Sequence, residues 1–183
     1  RATLRDQETG AERTVSARIL INAAGPWADS VIQGALRRND PAKTRLVRGS
    51  HIVVRRLFDH DRAYIFQNAD GRIVFAIPYE GDFTLIGTTD VDHEGPPSAA
   101  VCTPEESLYL RRSASEYFES PIPADAVVWT YSGVRPLYDD GRASASAATR
   151  DYVLDLQDDD GAAPLLNIFG GKITTYRRLA EAV

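Results

Sequence analysis

The residues of this sequence that could do chemistry are a lysine after two glycines, an arginine aligned with aromatic residues, and a histidine in an apolar run. Phe169-Gly170-Gly171-Lys172-Ile173-Thr174-Thr175-Tyr176-Arg177 reads as the end of a buried strand, a turn and the start of a helix. That geometry brings backbone close to a ligand and aims helix N–H groups at an anion. Lys172 is expected in the first helical turn, where the dipole disfavours a cation, which points to a negative partner outside the protein. An ordinary strand-to-helix turn with a surface lysine has the same pattern. Arg135 shares one strand face with Trp129, Tyr131 and Gly133 by alternation. It is either an edge residue with its head in water or a charge held for an anion. His51 lies beside Val53 on one face of a strand, with Ile52 and Val54 on the other. A lone strand histidine is ordinarily a hydrogen-bonded structural residue.

The elements that must position these groups follow from pattern. Arg1 to Glu8 alternate weakly as a strand, and Thr9-Gly10 turns. A second strand is expected from Thr14 to Asn22, buried at its apolar end Ile19-Leu20-Ile21. After it, Asn22-Ala23-Ala24-Gly25-Pro26 lets backbone approach another body, or simply packs a helix tightly. Trp27, Val31, Gly34 and Ala35 are predicted to mark one face of that helix. Arg38-Asn39-Asp40-Pro41 breaks the chain. Strands are then predicted over Arg45 to Arg56, Ala63 to Gln67, Arg72 to Pro78 and Phe83 to Thr88, with a hairpin turn at Asn68-Ala69-Asp70-Gly71. Strands so close together without helices between them make an antiparallel sheet. Thr103-Pro104-Glu105-Glu106 is a helix start, with Leu110, Ala114, Tyr117 and Phe118 as its buried face. Val127 to Leu137 is a long strand, and Arg150-Asp151-Tyr152 opens another to Leu156. Surface loops are expected at Asp139 to Ala148 and at the acidic turn Gln157 to Gly161. From Ile173 on, Ile173, Tyr176, Ala180 and Val183 are expected on one helix face.

Composition narrows the function classes. The chain has 183 residues, 43% hydrophobic, which suits one globular domain or most of two small ones. A net charge of -5 argues against a general nucleic-acid surface. No apolar run approaches the ~20 residues of a spanning helix, and no signal peptide opens the sequence. Cys102 is the single cysteine, so there is no internal disulfide. His51, His60 and His93 have no metal-ligand spacing, and no metal site is expected. With no methionine, the sequence reads as an internal piece of something longer.

Six motifs occur in order: Asn22 to Ala28, Gly49 to Val54, Ile86 to Asp90, Trp129 to Leu137, Thr149 to Tyr152 and Phe169 to Arg177. Together they resemble the FAD-dependent, quinone-linked glycerol-3-phosphate dehydrogenases over nearly the whole chain. The family's pyrophosphate-binding Gly-x-Gly-x-x-Gly unit has no counterpart here. The resemblance therefore implies the middle of such an enzyme. Its expected class is α+β: an antiparallel substrate-binding sheet with flanking helices, plus partial Rossmann-like FAD-binding segments at both ends. Residues 1–40 would be the later part of the FAD-binding domain, 41–160 the substrate-binding domain, and 161–183 the return into the FAD-binding domain.

The resemblance also implies roles. Arg135 and Arg150 would hold the phosphate of glycerol 3-phosphate, Lys172 the phosphate or a developing oxyanion, and Asp90 would contribute to substrate binding. His51 would take the hydroxyl proton, or Arg135 or Lys172 would hold the oxyanion while water takes it, so His51, Arg135 and Lys172 are the implied catalytic residues. Ala23, Ala24, Gly25, Gly171, Lys172 and Thr174 would approach the flavin. His51, Arg135, Arg150 and Lys172 are expected to converge. FAD is the implied cofactor of the parent, and the piece alone is expected to be colourless and inactive. Membrane quinone is the implied electron acceptor, and the parent's expected place is peripheral, on the cytoplasmic side of the membrane. Oligomeric state is not read from the sequence. The alternatives are a related FAD-dependent amine or amino-acid oxidase, and a non-catalytic ligand-binding or structural module.

Overall fold

The computed structural model describes residues 1–141, 149–158 and 163–183. The chain divides into two compact bodies, Arg1–Thr44 with Thr149–Val183, and Arg45–Ala148. In the first body, β1 (Ala2–Arg5) and β2 (Glu12–Val15) form an antiparallel hairpin closed through Gly10 at φ +70°. The second strand expected from Thr14 to Asn22 is two elements, because β2 pairs locally with β1 while β3 (Leu20–Asn22) pairs with a strand far along the chain. Leu20 and Ile21 are exposed rather than buried, and only Asn22 is enclosed. A helical stretch follows: a 3-10 turn Gly25–Trp27, α1 (Ala28–Ser30) and a π-type run Val31–Ala35. Its buried face is Ala28 and Ile32, one turn apart, and Trp27 stays exposed.

The second body is built on β4 (Thr44–Arg55). β5 (Tyr64–Gln67), β6 (Ile73–Tyr79) and β7 (Phe83–Gly87) run antiparallel to one another, and β7 lies along β4. β8 (Val91–Asp92) continues along the same edge of β4. The register slips between them: His51 faces Gly87 but Arg48 faces Val91, so β4 advances by one residue less than its partner. Thr88-Thr89-Asp90 is therefore a β-bulge, a device that re-aims side chains locally. α2 (Pro104–Ser115) begins with the capping box read from sequence, Thr103 and Glu106 each satisfying the other's backbone N–H. Leu110 and Ala114 are its buried face and pack on Ile52, Val54, Val74 and Ile86. Tyr117 and Phe118 lie beyond the helix end, where both rings meet Phe66. β9 (Val127–Tyr138) pairs with β4 as well.

The chain then returns to the first body. Arg150 to Tyr152 precede β10 (Val153–Gln157) rather than opening it, and β11 (Leu165–Phe169) runs antiparallel to β10 and parallel to β3. A 3-10 turn Ile173–Thr175 and α3 (Tyr176–Ala182) end it. The expected face of α3 is not buried: Ile173 is 85% and Tyr176 66% exposed. The half-buried Leu179 faces Gly171 instead. The Ala/Ser-rich loop to Ala148 and the tip Asp159 to Gly161 lie outside the described residues. Among those residues, no helix is long and apolar enough to cross a membrane.

Candidate active site

In the second body, successive β4 and β9 side chains point to opposite faces of the sheet. Ser50 and Ser132 meet on the α2 side, with Oγ atoms 2.7 Å apart. On the other face, the His51 imidazole stacks on Tyr131, with centroids 4.7 Å apart and planes 6° apart, and Trp129 continues the row.

Two glycines make room for the polar groups of that face. A Cβ on Gly87, opposite His51 across the strands, would overlap the imidazole, with Cγ at 2.7 Å. A Cβ on Gly49 would overlap the Arg135 guanidinium, with Cζ at 2.6 Å. Both planar groups therefore lie against bare backbone. The bulge holds the guanidinium: Nη1 donates to Asp90 Oδ1 at 2.9 Å and to Thr89 O at 3.3 Å, and Nη2 donates to Thr88 Oγ1 at 3.1 Å. Arg135 is thus an anchored cation, and Asp90 is its ion-pair partner.

Burial lowers the His51 pKa below its ordinary value, and the nearby Arg135 charge lowers it further. The ring is therefore neutral at pH 7. Its Nδ1 is buried without a hydrogen bond, unlike the bonded structural histidine expected of a lone strand residue. On the opposite face Glu106 is also buried. Burial alone would raise its pKa, but hydrogen bonds from the Thr103 N–H, Thr89, Ser50 and Arg48 outweigh this and lower it. Burial, followed by the charge of Glu106, pushes the Cys102 thiol up, so it stays protonated. Among the described residues no cluster of His, Cys, Asp and Glu could hold a metal ion.

In the first body, Lys172 has extended backbone at φ -124° and precedes the 3-10 turn, so it is not in the first turn of the helix. Its Nζ has an internal partner, Asp151, at 3.5 Å, so the inference of an external anion from dipole tension falls away. Asp151 follows Arg150 directly, which brings the Arg150 segment to the Gly-Gly turn. Gly25, Gly170 and Gly171 adopt φ of +55°, +71° and +98°, which side-chain-bearing residues rarely tolerate. Because β3 and β11 are parallel neighbours, Ala23-Ala24-Gly25 and Gly170-Gly171-Lys172 leave the same end of the sheet. The buried Asn22 and Asn167 amides tie the two strands together at 2.9 Å. A cavity of about 350 Å³ in this body, lined by Val15, Ala17, Ile19, Leu20 and Leu36 among others, includes none of the candidate residues.

A family model described as FAD dependent oxidoreductase matches residues 1–177. The chain belongs to that family. It is 48% identical to the aerobic glycerol-3-phosphate dehydrogenase of Escherichia coli over 96% of this chain and 35% of that protein. It is also 48% identical to the D-erythritol 1-phosphate dehydrogenase of Brucella abortus, over 97% of this chain and 35% of the relative. A crystal structure of the glycerol-3-phosphate dehydrogenase from Bacillus halodurans complexed with FAD matches with a TM-score of 0.76 at 33% identity, covering 98% of this chain and 34% of that one. The chain thus spans about a third of the length of the curated relatives it matches. The mixed fold, an antiparallel sheet with few helices, is that of the solved structure.

For an FAD dependent oxidoreductase, the carboxyl ends of parallel strands are the expected place for a cofactor. The residues there fit one. Ala23, Gly171, Lys172 and Thr174 are exposed and small or cationic, and the glycine turns leave backbone open to a ring system. Sequence reasoning missed Gly49, Gly87, Tyr131 as the stacking partner of His51, and Glu106 as more than a cap. Alternation signalled Tyr131, since it places Tyr131 and Arg135 on one face. The glycine seats depend on cross-strand register and carried no local signal.

Proposed function

We propose that this chain is the central part of an FAD-dependent dehydrogenase that oxidises sn-glycerol 3-phosphate at C2 to dihydroxyacetone phosphate. The body Arg45–Ala148 takes the substrate-binding role, and Arg1–Thr44 with Thr149–Val183 contributes to the FAD-binding domain. The observation that carries this reading is the 48% identity to the Escherichia coli aerobic enzyme over 96% of the chain.

The reaction needs a hold on the phosphate dianion, stabilisation of negative charge at the C2 oxygen, and an acceptor for the hydroxyl proton. Arg135 and Arg150 carry planar forks that match phosphate oxygens. Asp90 acts on substrate through Arg135, whose plane it fixes. Lys172 is a compact charge for phosphate or for the developing oxyanion. His51, neutral at pH 7, accepts the C2 hydroxyl proton as the carbonyl forms. Ala23, Ala24, Gly25, Gly171, Lys172 and Thr174 approach the cofactor. FAD, when bound, accepts the hydrogen that leaves C2 with its bonding pair. Electrons pass on to membrane quinone, with the full-length protein peripheral on the cytoplasmic side.

A second reading has a specific observation behind it. The D-erythritol 1-phosphate dehydrogenase is as similar as the glycerol 3-phosphate enzyme, so a longer polyol phosphate is the competing substrate. Rapid mixing of the full-length, flavin-loaded protein with each compound decides. Flavin bleaching by sn-glycerol 3-phosphate is expected. Bleaching by D-erythritol 1-phosphate alone would move the assignment to the second reading, and bleaching by an amine or amino acid alone would overturn both.

A further inference from the structure

We infer that Glu106 is a positioning residue for His51 and Arg135, its buried carboxylate fixing the strand segments from which those side chains project on the opposite face. The inference rests on the reading of His51 and Arg135 as working groups.

Capping α2 requires one bond from Glu106, which its Oε2 makes to the Thr103 N–H at 3.0 Å. The carboxylate does more. Oε2 also meets Arg48 Nη2 at 3.1 Å, and Oε1 accepts from Ser50 Oγ at 2.9 Å and Thr89 Oγ1 at 2.7 Å. A cap at a helix end is usually solvated, whereas this side chain is only 6% exposed. Burying a carboxylate is costly unless its oxygens are fully hydrogen-bonded, as they are here.

Ser50 and Thr89, whose hydroxyls donate to Glu106, are each the chain neighbour of a group on the other face. Ser50 precedes His51. Thr89 precedes Asp90, the partner of Arg135, and the Thr89 carbonyl itself accepts from Arg135. Ser132, reached through Ser50 Oγ, follows Tyr131, on which His51 stacks. Alternation converts a pin on one face into a fixed direction on the other. The bulge depends on the same node: the Ser50 N–H donates to Thr89 Oγ1 at 2.9 Å, where the register slip interrupts the ladder. The groups facing His51 are Arg135 and Tyr131 of β9, and those facing Glu106 are Arg48 and Cys102.

The test uses the full-length holoenzyme and four variants: Glu106→Gln, Thr89→Val, Thr89→Ser and Thr103→Ala. The first readout is flavin reduction on mixing with sn-glycerol 3-phosphate. The second is the NMR titration of the His51 ring, assigned by its loss in His51→Gln. Thr103→Ala removes only a capping hydroxyl and is expected to lower Tm while leaving both readouts in place. Glu106→Gln and Thr89→Val are expected to slow reduction on the order of 10- to 100-fold, as small misplacements of working groups do. They should also move the His51 titration up towards its ordinary value. Thr89→Ser, which keeps the hydroxyl, should restore both. If Glu106→Gln and Thr89→Val lose only Tm, as Thr103→Ala does, Glu106 is a helix cap and the inference is overturned. Should Glu106→Gln not fold, Thr89→Val decides with the carboxylate intact. If His51→Gln leaves flavin reduction unchanged, the functional reading fails, and the His51 titration still decides whether Glu106 sets the surroundings of the ring.

Discussion

Beneath α2, the β4 side chains Ile52 and Val54 are fully buried against Leu110 and Ala114, and the one carboxylate among them has its oxygens hydrogen-bonded. On the other face of the sheet, Gly49 of β4 and Gly87 of β7 offer no side chain at all, and the imidazole laid over Gly87 keeps a buried nitrogen without a partner. The first face is arranged for stability. The second gives up packing at two positions so that a ring and a guanidinium can lie against bare backbone. The difference shows how one strand serves a core and a site together: alternation separates the two tasks, and a bulge beside the glycines aims the charged group.

Substitutions that move stability and chemistry apart would sharpen that contrast. The largest expected effect is on the covered face. Leu110→Ala should destabilise the protein by about 2–5 kcal/mol, seen as a lower urea midpoint, with flavin reduction unchanged well below Tm. An equal loss of reduction rate would break the contrast. Gly87→Ala should reach the chemistry as well as the fold, because the new methyl occupies the place of the His51 ring. Reduction should slow by about 100-fold, with a stability loss of about 1–3 kcal/mol from the overlap. Arg150→Ala in the other body should raise KM by about 10-fold or more and leave kcat nearly constant, since phosphate is held alike in ground and transition states. Steady-state kinetics with an artificial acceptor check this, and an unchanged KM removes Arg150 from the anion site.

The smallest expected effect is on stability against pH. His51 has a folded pKa below its ordinary 6.5, so the unfolded chain binds the proton more readily. Its contribution is therefore present above 6.5 and lost as pH falls through the lowered folded value. Urea midpoints of the wild type should fall more steeply than those of His51→Gln as pH drops below 6.5. Parallel curves would mean that the ring is not desolvated.

The capping box at Thr103, the Asn68–Gly71 hairpin, the antiparallel strands and the alternation along β9 were legible from local signals. Each depends on residues a few positions apart. What stayed hidden depends on register between distant segments. The slip at Thr88–Asp90 follows from how β7 and β8 both align on β4, and no local pattern reports it. The split of the expected second strand has the same origin, because β3 is defined by a partner far along the chain. Lys172 was legible as a residue after a Gly-Gly turn, but its partner Asp151 comes from an earlier segment brought alongside. Glu106 was visible as a cap, while its bonds to Ser50 and Thr89 exist only once α2 lies on the sheet.

The claim that the open face is the chemical one is tested most directly by His51→Ala in the full-length, flavin-loaded protein, followed by rapid mixing with sn-glycerol 3-phosphate across a pH series. The flavin reduction rate is expected to fall by about 10²–10⁴-fold. The wild-type rate should be lost on acidification with a midpoint below the ordinary histidine value, and this limb should disappear in the variant. An unchanged rate with an unchanged pH profile would contradict it and leave His51 a structural strand residue.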